Sequence, residues 1–212
     1  MKRSLRPPRL YAIADARVLG EVSIAEAVAI MAAAGVRWIQ VRGKGLADDE
    51  LFRQVEAAVR AVEGTGASLW VNDRADVAAM LGAAGLHLGQ EDLPPAAARR
   101  VVGEEMWIGQ SAHDEAELAA AVADPEVDVV AVGAVFATAS KERPAPVVGL
   151  EFVRRARAAT AKPLVAIGGI DAERAPAVLA AGADAVAVLS AICRGDIAAN
   201  CRRLLAVVEE AR

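Results

Sequence analysis

Aromatic side chains are nearly absent. Only 3% of the 212 residues are Phe, Trp or Tyr, so any core is packed by the small and branched aliphatics that dominate the 55% hydrophobic content. Cysteine is scarce as well. Cys193 and Cys201 are the only two, neither lies near a histidine, and they form no metal-ligand pattern. Their expected state is two reduced thiols in or near a C-terminal helix. Apolar runs of the ~18–20 residues needed to cross a bilayer are missing, and the basic opening MKRSLRPPRL lacks the apolar stretch of a signal peptide. A cytoplasmic chain with no membrane partner is expected. A dominant positive charge is also lacking: the formal net charge of −4 offers no global attraction to nucleic acid or anionic lipid. An anionic ligand would need a local basic cluster.

What is present is alternation. Short runs rich in β-branched residues recur eight times, at 10–14, 38–42, 68–72, 85–89, 106–110, 127–133, 163–168 and 185–190. Amphipathic, Ala-rich segments lie between and after them, at 23–34, 47–63, 74–82, 94–102, 114–123, 149–160, 171–181 and 196–211. Their apolar residues return at helical spacing, as in Leu51, Val55, Ala58, Val59 and Val62. Nearly continuous apolar strands suit a parallel sheet covered by helices. The phrases MAAAGVRWIQ, MLGAAGLHLG and VLAAGADAVAV each close a helix on Ala-Gly and enter a strand within a few residues. Eight βα units without a break in composition predict an α/β fold, a single-domain (β/α)8 TIM barrel over 1–212, with residues 1–8 as an N-terminal extension. An open doubly wound sheet is the alternative. It ordinarily carries a G-x-G-x-x-G turn after its first strand, and none is present here.

In a barrel of this kind, functional groups project from the C-terminal ends of the strands. Here the strand bodies are apolar and the ends are polar or glycine. Asp15 follows the first, and Gln40, Arg42 and Lys44 belong to the second. Asn72 and Asp73 end the third; His87, Gln90, Glu91 and Asp92 belong to the fourth; Gln110, Ser111 and His113 to the fifth. Gln40, Arg42 and Lys44 alternate, so in an extended chain they face one side. Arg offers a planar fork and Lys a point charge for phosphate oxygens. A solvated strand exit would use the same residues. Lys141, beside Thr138 and Ser140 in the loop after the sixth strand, adds a third cation and favours phosphate binding. Asp73 and Asp92 end adjacent strands and can approach each other, which fits Mg²⁺, a cation satisfied by one or two carboxylates plus phosphate and water oxygens. Each could instead cap the helix that follows it.

The last two strands suggest a second anion site. Gly168 and Gly169 in IGGI, and Leu189 and Ser190 in LSAI, bring backbone amides and a hydroxyl to the loops where such barrels often hold phosphate. A plain tight turn is the alternative for IGGI. His87 faces either the barrel interior or the rim. His113 is either a general acid/base at a strand end or a residue of a helix's first turn.

Taken in order, QVRGK (40–44), VNDRADVA (71–78), GLHLGQEDLP (85–94), IGQSAH (108–113), VGAVFATASK (132–141), PLVAIGGI (163–170) and AGADAVAVLSAI (181–192) resemble the thiamine phosphate synthase family over almost the whole chain. The resemblance implies the same barrel and a transferase that joins hydroxymethylpyrimidine diphosphate to a phosphorylated thiazole, releasing diphosphate. It implies Mg²⁺ on Asp73 and Asp92. It places the diphosphate on Arg42, Lys44, Asn72, Ser111 and Lys141, the aminopyrimidine on Gln40, and the thiazole phosphate among Thr138, Ser140, Gly169, Leu189 and Ser190. The implied partners are two phosphorylated small molecules, with a homo-oligomer left open. Three positions depart from the family pattern. Gly43 replaces a larger residue and is expected to loosen its loop, TASK lacks the proline of T-P-T-K, and Gln110 stands where a small or apolar residue is usual.

Two rivals share the scaffold. A metal-independent thiazole tautomerase would use a histidine at the place of His113, but it lacks the acidic pair kept here in NDR and GQED. A non-catalytic sensor of thiazole phosphate would not need Asp73, Asp92, Arg42 and Lys44. Loops 43–47 and 137–147 are composed like segments that move.

Overall fold

In the computed structural model, which describes residues 6–138 and 146–211, eight parallel strands close on themselves in sequence order. The strands are β1 (Leu10–Asp15), β2 (Trp38–Arg42), β3 (Ser68–Asn72), β4 (Gly85–Leu88), β5 (Trp107–Ala112), β6 (Val129–Val132), β7 (Leu164–Ile167) and β8 (Ala185–Val188). β1 pairs with both β2 and β8, which seals the barrel. The helices are α1 (Ile24–Ala33), α2 (Asp48–Val62), α3 (Ala75–Leu81), α4 (Pro95–Val102), α5 (Glu115–Ala123), α6 (Gly149–Ala159), α7 (Ala175–Ala180), the short α8 (Ser190–Cys193) and α9 (Ile197–Glu210). Among the described residues, no helix is long and apolar enough to span a membrane.

Local chemistry explains the element ends. Ser23 accepts the amide of Glu26 at 3.2 Å to start α1, Asp114 that of Glu117 at 2.8 Å to start α5, and Asp196 that of Ala199 at 2.9 Å to start α9. Positive-φ glycines stand at or just past the helix ends at Gly35, Gly82 and Gly182; in the second phrase the helix stops at Gly82 rather than on its Ala-Gly pair, whose Gly85 opens β4. Some bounds differ from expectation. β5 runs on to Ala112, so Ser111 is a strand residue, and the helix after β7 begins only at Ala175, following a turn on Asp171.

The core has two layers. Aliphatics such as Leu86, Leu88, Ile108, Val130 and Leu164 face outward and pack under the helices. Inside the barrel, Tyr11, Trp38 and Trp70 form one cluster, with ring centroids 4.8–5.6 Å apart. The few aromatics are therefore concentrated where the barrel needs bulk. Gly85 makes room for them: a Cβ there would lie 2.3 Å from the Trp70 ring. Cys193 and Cys201 are buried free thiols in α8 and α9. Burial pushes their pKa values up to about 11 and about 12, which keeps them protonated and unreactive.

Candidate active site

A cavity opens at the C-terminal ends of the strands, and its two ends differ in chemistry. Gln40, Arg42, Lys44, Asn72, Asp73, His87, Asp92 and Ser111 line one end. Strand alternation delivers most of them: Gln40 and Arg42 share the inner face of β2, and the register sets Asn72 of β3 beside His87 of β4.

Each cation at this end is held by a carboxylate. The Arg42 guanidinium forms an ion pair with Asp15, a fully buried residue opposite it in the β1–β2 register. Lys44 Nζ lies 3.0 Å from Asp73 Oδ2. Asp73 holds a left-handed backbone, φ +65°, and its N–H donates to the His87 carbonyl at 2.8 Å. This turn aims its carboxyl inward. Burial, and then a hydrogen bond with the Asp92 carboxyl, push its pKa up to about 6, against the lowering effect of Lys44. Asp92 Oδ2 also accepts the Gly89 N–H at 2.6 Å. Neither aspartate caps a helix: Arg74 and Pro94 occupy the cap positions of α3 and α4, without a side-chain cap bond at either. Two carboxyls close enough to share a proton, open to a cavity that Arg42, Lys44, Asn72 and Ser111 also line, suit a divalent cation that completes its shell with phosphate and water oxygens. Among the described residues no larger cluster of metal ligands exists.

His87 Nε2 lies 2.9 Å from Ser111 Oγ and so positions that hydroxyl. Tyr11 OH accepts from Gln40 Nε2 at 2.8 Å. Burial raises the Tyr11 pKa, so the phenol stays neutral.

Thr138, Gly168, Gly169 and Ser190 line the other end, and Ile13, Ala131, Val165, Ile167, Ala187 and Leu189 form an apolar stretch between the two. Gly169 has φ +62°, and a Cβ there would fall 2.5 Å from the Ala137 carbonyl oxygen. Only glycine fits that close approach of two loops. Ser190 opens α8 as its first residue.

Residues 10–192 match the family described as thiamine monophosphate synthase. The chain belongs to the thiamine monophosphate synthase family. It is 45% identical over 195 residues to the thiamine-phosphate synthase of Koribacter versatilis, covering 90% of this chain and 91% of that one. It is 42% identical to the thiamine-phosphate synthase of Moorella thermoacetica, over 96% and 97% of the two chains. Thiamine phosphate pyrophosphorylase from Pyrococcus furiosus superposes with a TM-score of 0.86 at 32% identity, over 96% of both chains.

For this member of the synthase family, the structure corrects parts of the motif reading. Gln110 does not line the cavity. It neighbours the inward Ser111 on β5 and so faces outward, buried, donating to the Gly89 carbonyl at 3.3 Å. Gln90 donates to the Ser111 carbonyl and Glu91 is exposed; neither lines the cavity. His113 also lies off the cavity lining, with Nδ1 2.8 Å from Glu117 Oε2 on α5. Gly43 does not leave a gap: Leu51 Cδ1 would lie 2.5 Å from a Cβ there, and Leu46 is also in contact range. Ser140 and Lys141 lie outside the described residues, as does most of loop 137–147. The sequence names two further residues without giving them a role: Asp15, the polar residue after the first strand, is the acid that holds Arg42, and His87, left between interior and rim, lines the cavity.

Proposed function

We propose that this chain is a thiamine phosphate synthase that couples hydroxymethylpyrimidine diphosphate to hydroxyethylthiazole phosphate. The observation that carries the reading is one cavity with two polar ends of different construction, one of Arg42, Lys44 and paired carboxyls, the other of glycine and hydroxyl groups, joined by an apolar stretch. Two such ends suit two phosphorylated substrates held with their reactive carbons and nitrogen between them.

Arg42, Lys44, Asn72 and Ser111 hold the diphosphate, and Asp73 and Asp92 would hold Mg²⁺. The metal, when bound, neutralises charge that builds on the departing oxygens. Asp15 keeps the Arg42 fork fixed, so little reorganisation is needed as that charge develops. The Tyr11 hydroxyl engages the amide nitrogen of Gln40, which leaves its carbonyl oxygen to accept from the amino group of the pyrimidine. That amino group feeds electrons into the ring as the methylene C–O bond breaks. Both bonding electrons leave with diphosphate, and the resulting pyrimidine methyl cation sits against the apolar stretch, away from water. The thiazole nitrogen then donates its lone pair to form the new C–N bond. It carries no proton, so no protein base is required. Thr138, Gly168, Gly169, Leu189 and Ser190 hold the thiazole phosphate.

The test is turnover of both substrates by the purified protein with Mg²⁺ and then with a chelator. Thiamine phosphate should form only with the metal. Absence of product with Mg²⁺, together with isomerisation of a thiazole carboxylate phosphate in chelator, would overturn the reading in favour of the tautomerase.

A further inference from the structure

A second groove lies beside the glycine–serine end of the cavity and shares Thr138, Gly169, Ile170 and Ser190 with it. Beyond the shared residues the groove becomes basic: Arg174, Arg194 and Arg203 line it against one carboxylate, Asp171. That carboxylate is engaged by its own turn, where Oδ1 accepts the amides of Glu173 at 3.1 Å and Arg174 at 3.0 Å. Arg174 donates from Nη1 to the Gly169 carbonyl at 2.7 Å and lies over the Phe136 ring, which fixes the guanidinium at the boundary between cavity and groove.

Arg194 and Arg203 differ from the arginines of this surface that sit in ion pairs. Arg53, Arg74, Arg154 and Arg155 each face a carboxylate within 3.0 Å. The guanidinia of Arg194 and Arg203 meet no carboxylate or other hydrogen-bond partner among the described residues, although both are exposed and line one groove. Like charges set together without a counter-ion repel, and an anion bridging them relieves that repulsion while offering oxygens to both planar forks. The shared residues fix where such an anion would be attached: next to the phosphate held at Gly169 and Ser190.

We propose that this groove takes the terminal phosphate of a diphosphate ester whose inner phosphate occupies the Gly169–Ser190 end of the cavity. The inference rests on the function proposed above. The ligand class is then the diphosphate ester of the coupled product, which presents the same thiazolium body and inner phosphate with one further phosphate beyond. Such a ligand excludes the thiazole substrate from its own end of the cavity. The groove thereby makes the enzyme sensitive to the downstream form of its product, with Arg194 and Arg203 discriminating the diphosphate from the monophosphate.

The experiment is calorimetric titration of thiamine phosphate and of thiamine diphosphate into the full chain without added Mg²⁺, repeated on the Arg194→Ala/Arg203→Ala variant. The diphosphate ester should bind the unmodified protein about tenfold more tightly than the monophosphate. The variant should lose that preference and keep its monophosphate affinity within about twofold. Equal affinities in the unmodified protein would overturn the proposal. So would a preference that survives in the variant, because the terminal phosphate would then sit elsewhere, as at the Arg42–Lys44 end. Monophosphate binding reports separately on the underlying reading: if thiamine phosphate does not bind or fails to compete with thiazole phosphate, that reading falls and the groove proposal falls with it.

Discussion

Asp73 concentrates the tension between stability and activity in a single side chain. Its carboxyl is held inward by a left-handed backbone, partly buried, and set against Asp92, so its pKa rises from 3.8 to about 6. The folded protein therefore holds this proton more tightly than the unfolded chain. The resulting stability is fully present below about pH 4 and is lost as pH rises through about 6. Asp73→Asn preserves the left-handed turn, which asparagine tolerates. Without metal and well above pH 6, the variant should be more stable by on the order of 1 kcal/mol, since the lost Lys44 ion pair is half exposed and offsets only part of the gain. Near pH 4 the gain should vanish, and turnover with Mg²⁺ should fall by about a hundredfold or more. Thermal melts at the two pH values check this, and a variant less stable at the higher pH contradicts it. His113 lies off the cavity lining and pairs with Glu117. His113→Ala should leave kcat within about threefold, a loss too small for removal of a general acid or base; abolished turnover would make the histidine catalytic. At this scale the sequence was most informative where period-two alternation applied. Gln40, Arg42 and Lys44 were placed together correctly, whereas Gln110 was misplaced because the inward phase of β5 falls on Ser111. The role of Asp15 was not legible because it exists only through a partner 27 residues away.

Among the elements, the turn after β7 and the start of α8 form the glycine–serine end of the cavity, the proposed seat of the thiazole phosphate. The glycine pair was readable as a close-approach turn, but not what it approaches: the loop after β6, at Ala137. Gly169→Ala places a Cβ against that carbonyl at a positive φ, so the loop must shift. KM for the thiazole phosphate should rise by about tenfold or more, while that for the pyrimidine diphosphate stays nearly unchanged. Steady-state kinetics with each substrate varied in turn decide it; equal rises in both would mean a global distortion. All eight strands were legible from their apolar runs. Their exact ends were not, because hydrogen bonding to neighbouring strands, rather than local composition, extends β5 to Ala112.

Across the whole molecule, two staples close the end of the barrel opposite the cavity, and neither was visible in the sequence. Arg99, 5% exposed, reaches from α4 to Asp128 just before β6 at 2.9 Å, and Asp128 accepts the Ile108 amide of β5 at 2.9 Å. Arg157 repeats the device two units later, reaching Asp184 at 2.8 Å, which accepts the Leu164 amide of β7 at 2.8 Å. Each joins a helix to two strands through residues some 27–29 positions apart. Arg99 also donates to the carbonyls of Gly103 and Met106. Arg99→Leu leaves these acceptors and Asp128 unmatched, and should cost about 3 kcal/mol in denaturant unfolding with KM values unchanged. A neutral result would mean the network relaxes into water. The overall barrel, by contrast, was evident from repetition alone, because eight equivalent βα units admit few other closures. The central claim belongs to this scale too: two ends of one cavity act on two substrates in one event. Its most direct test is to measure diphosphate and thiamine phosphate together during turnover with Mg²⁺. Equal amounts of both products, appearing only when both substrates are present, are predicted; diphosphate released without thiamine phosphate, or no release at all, would contradict the account.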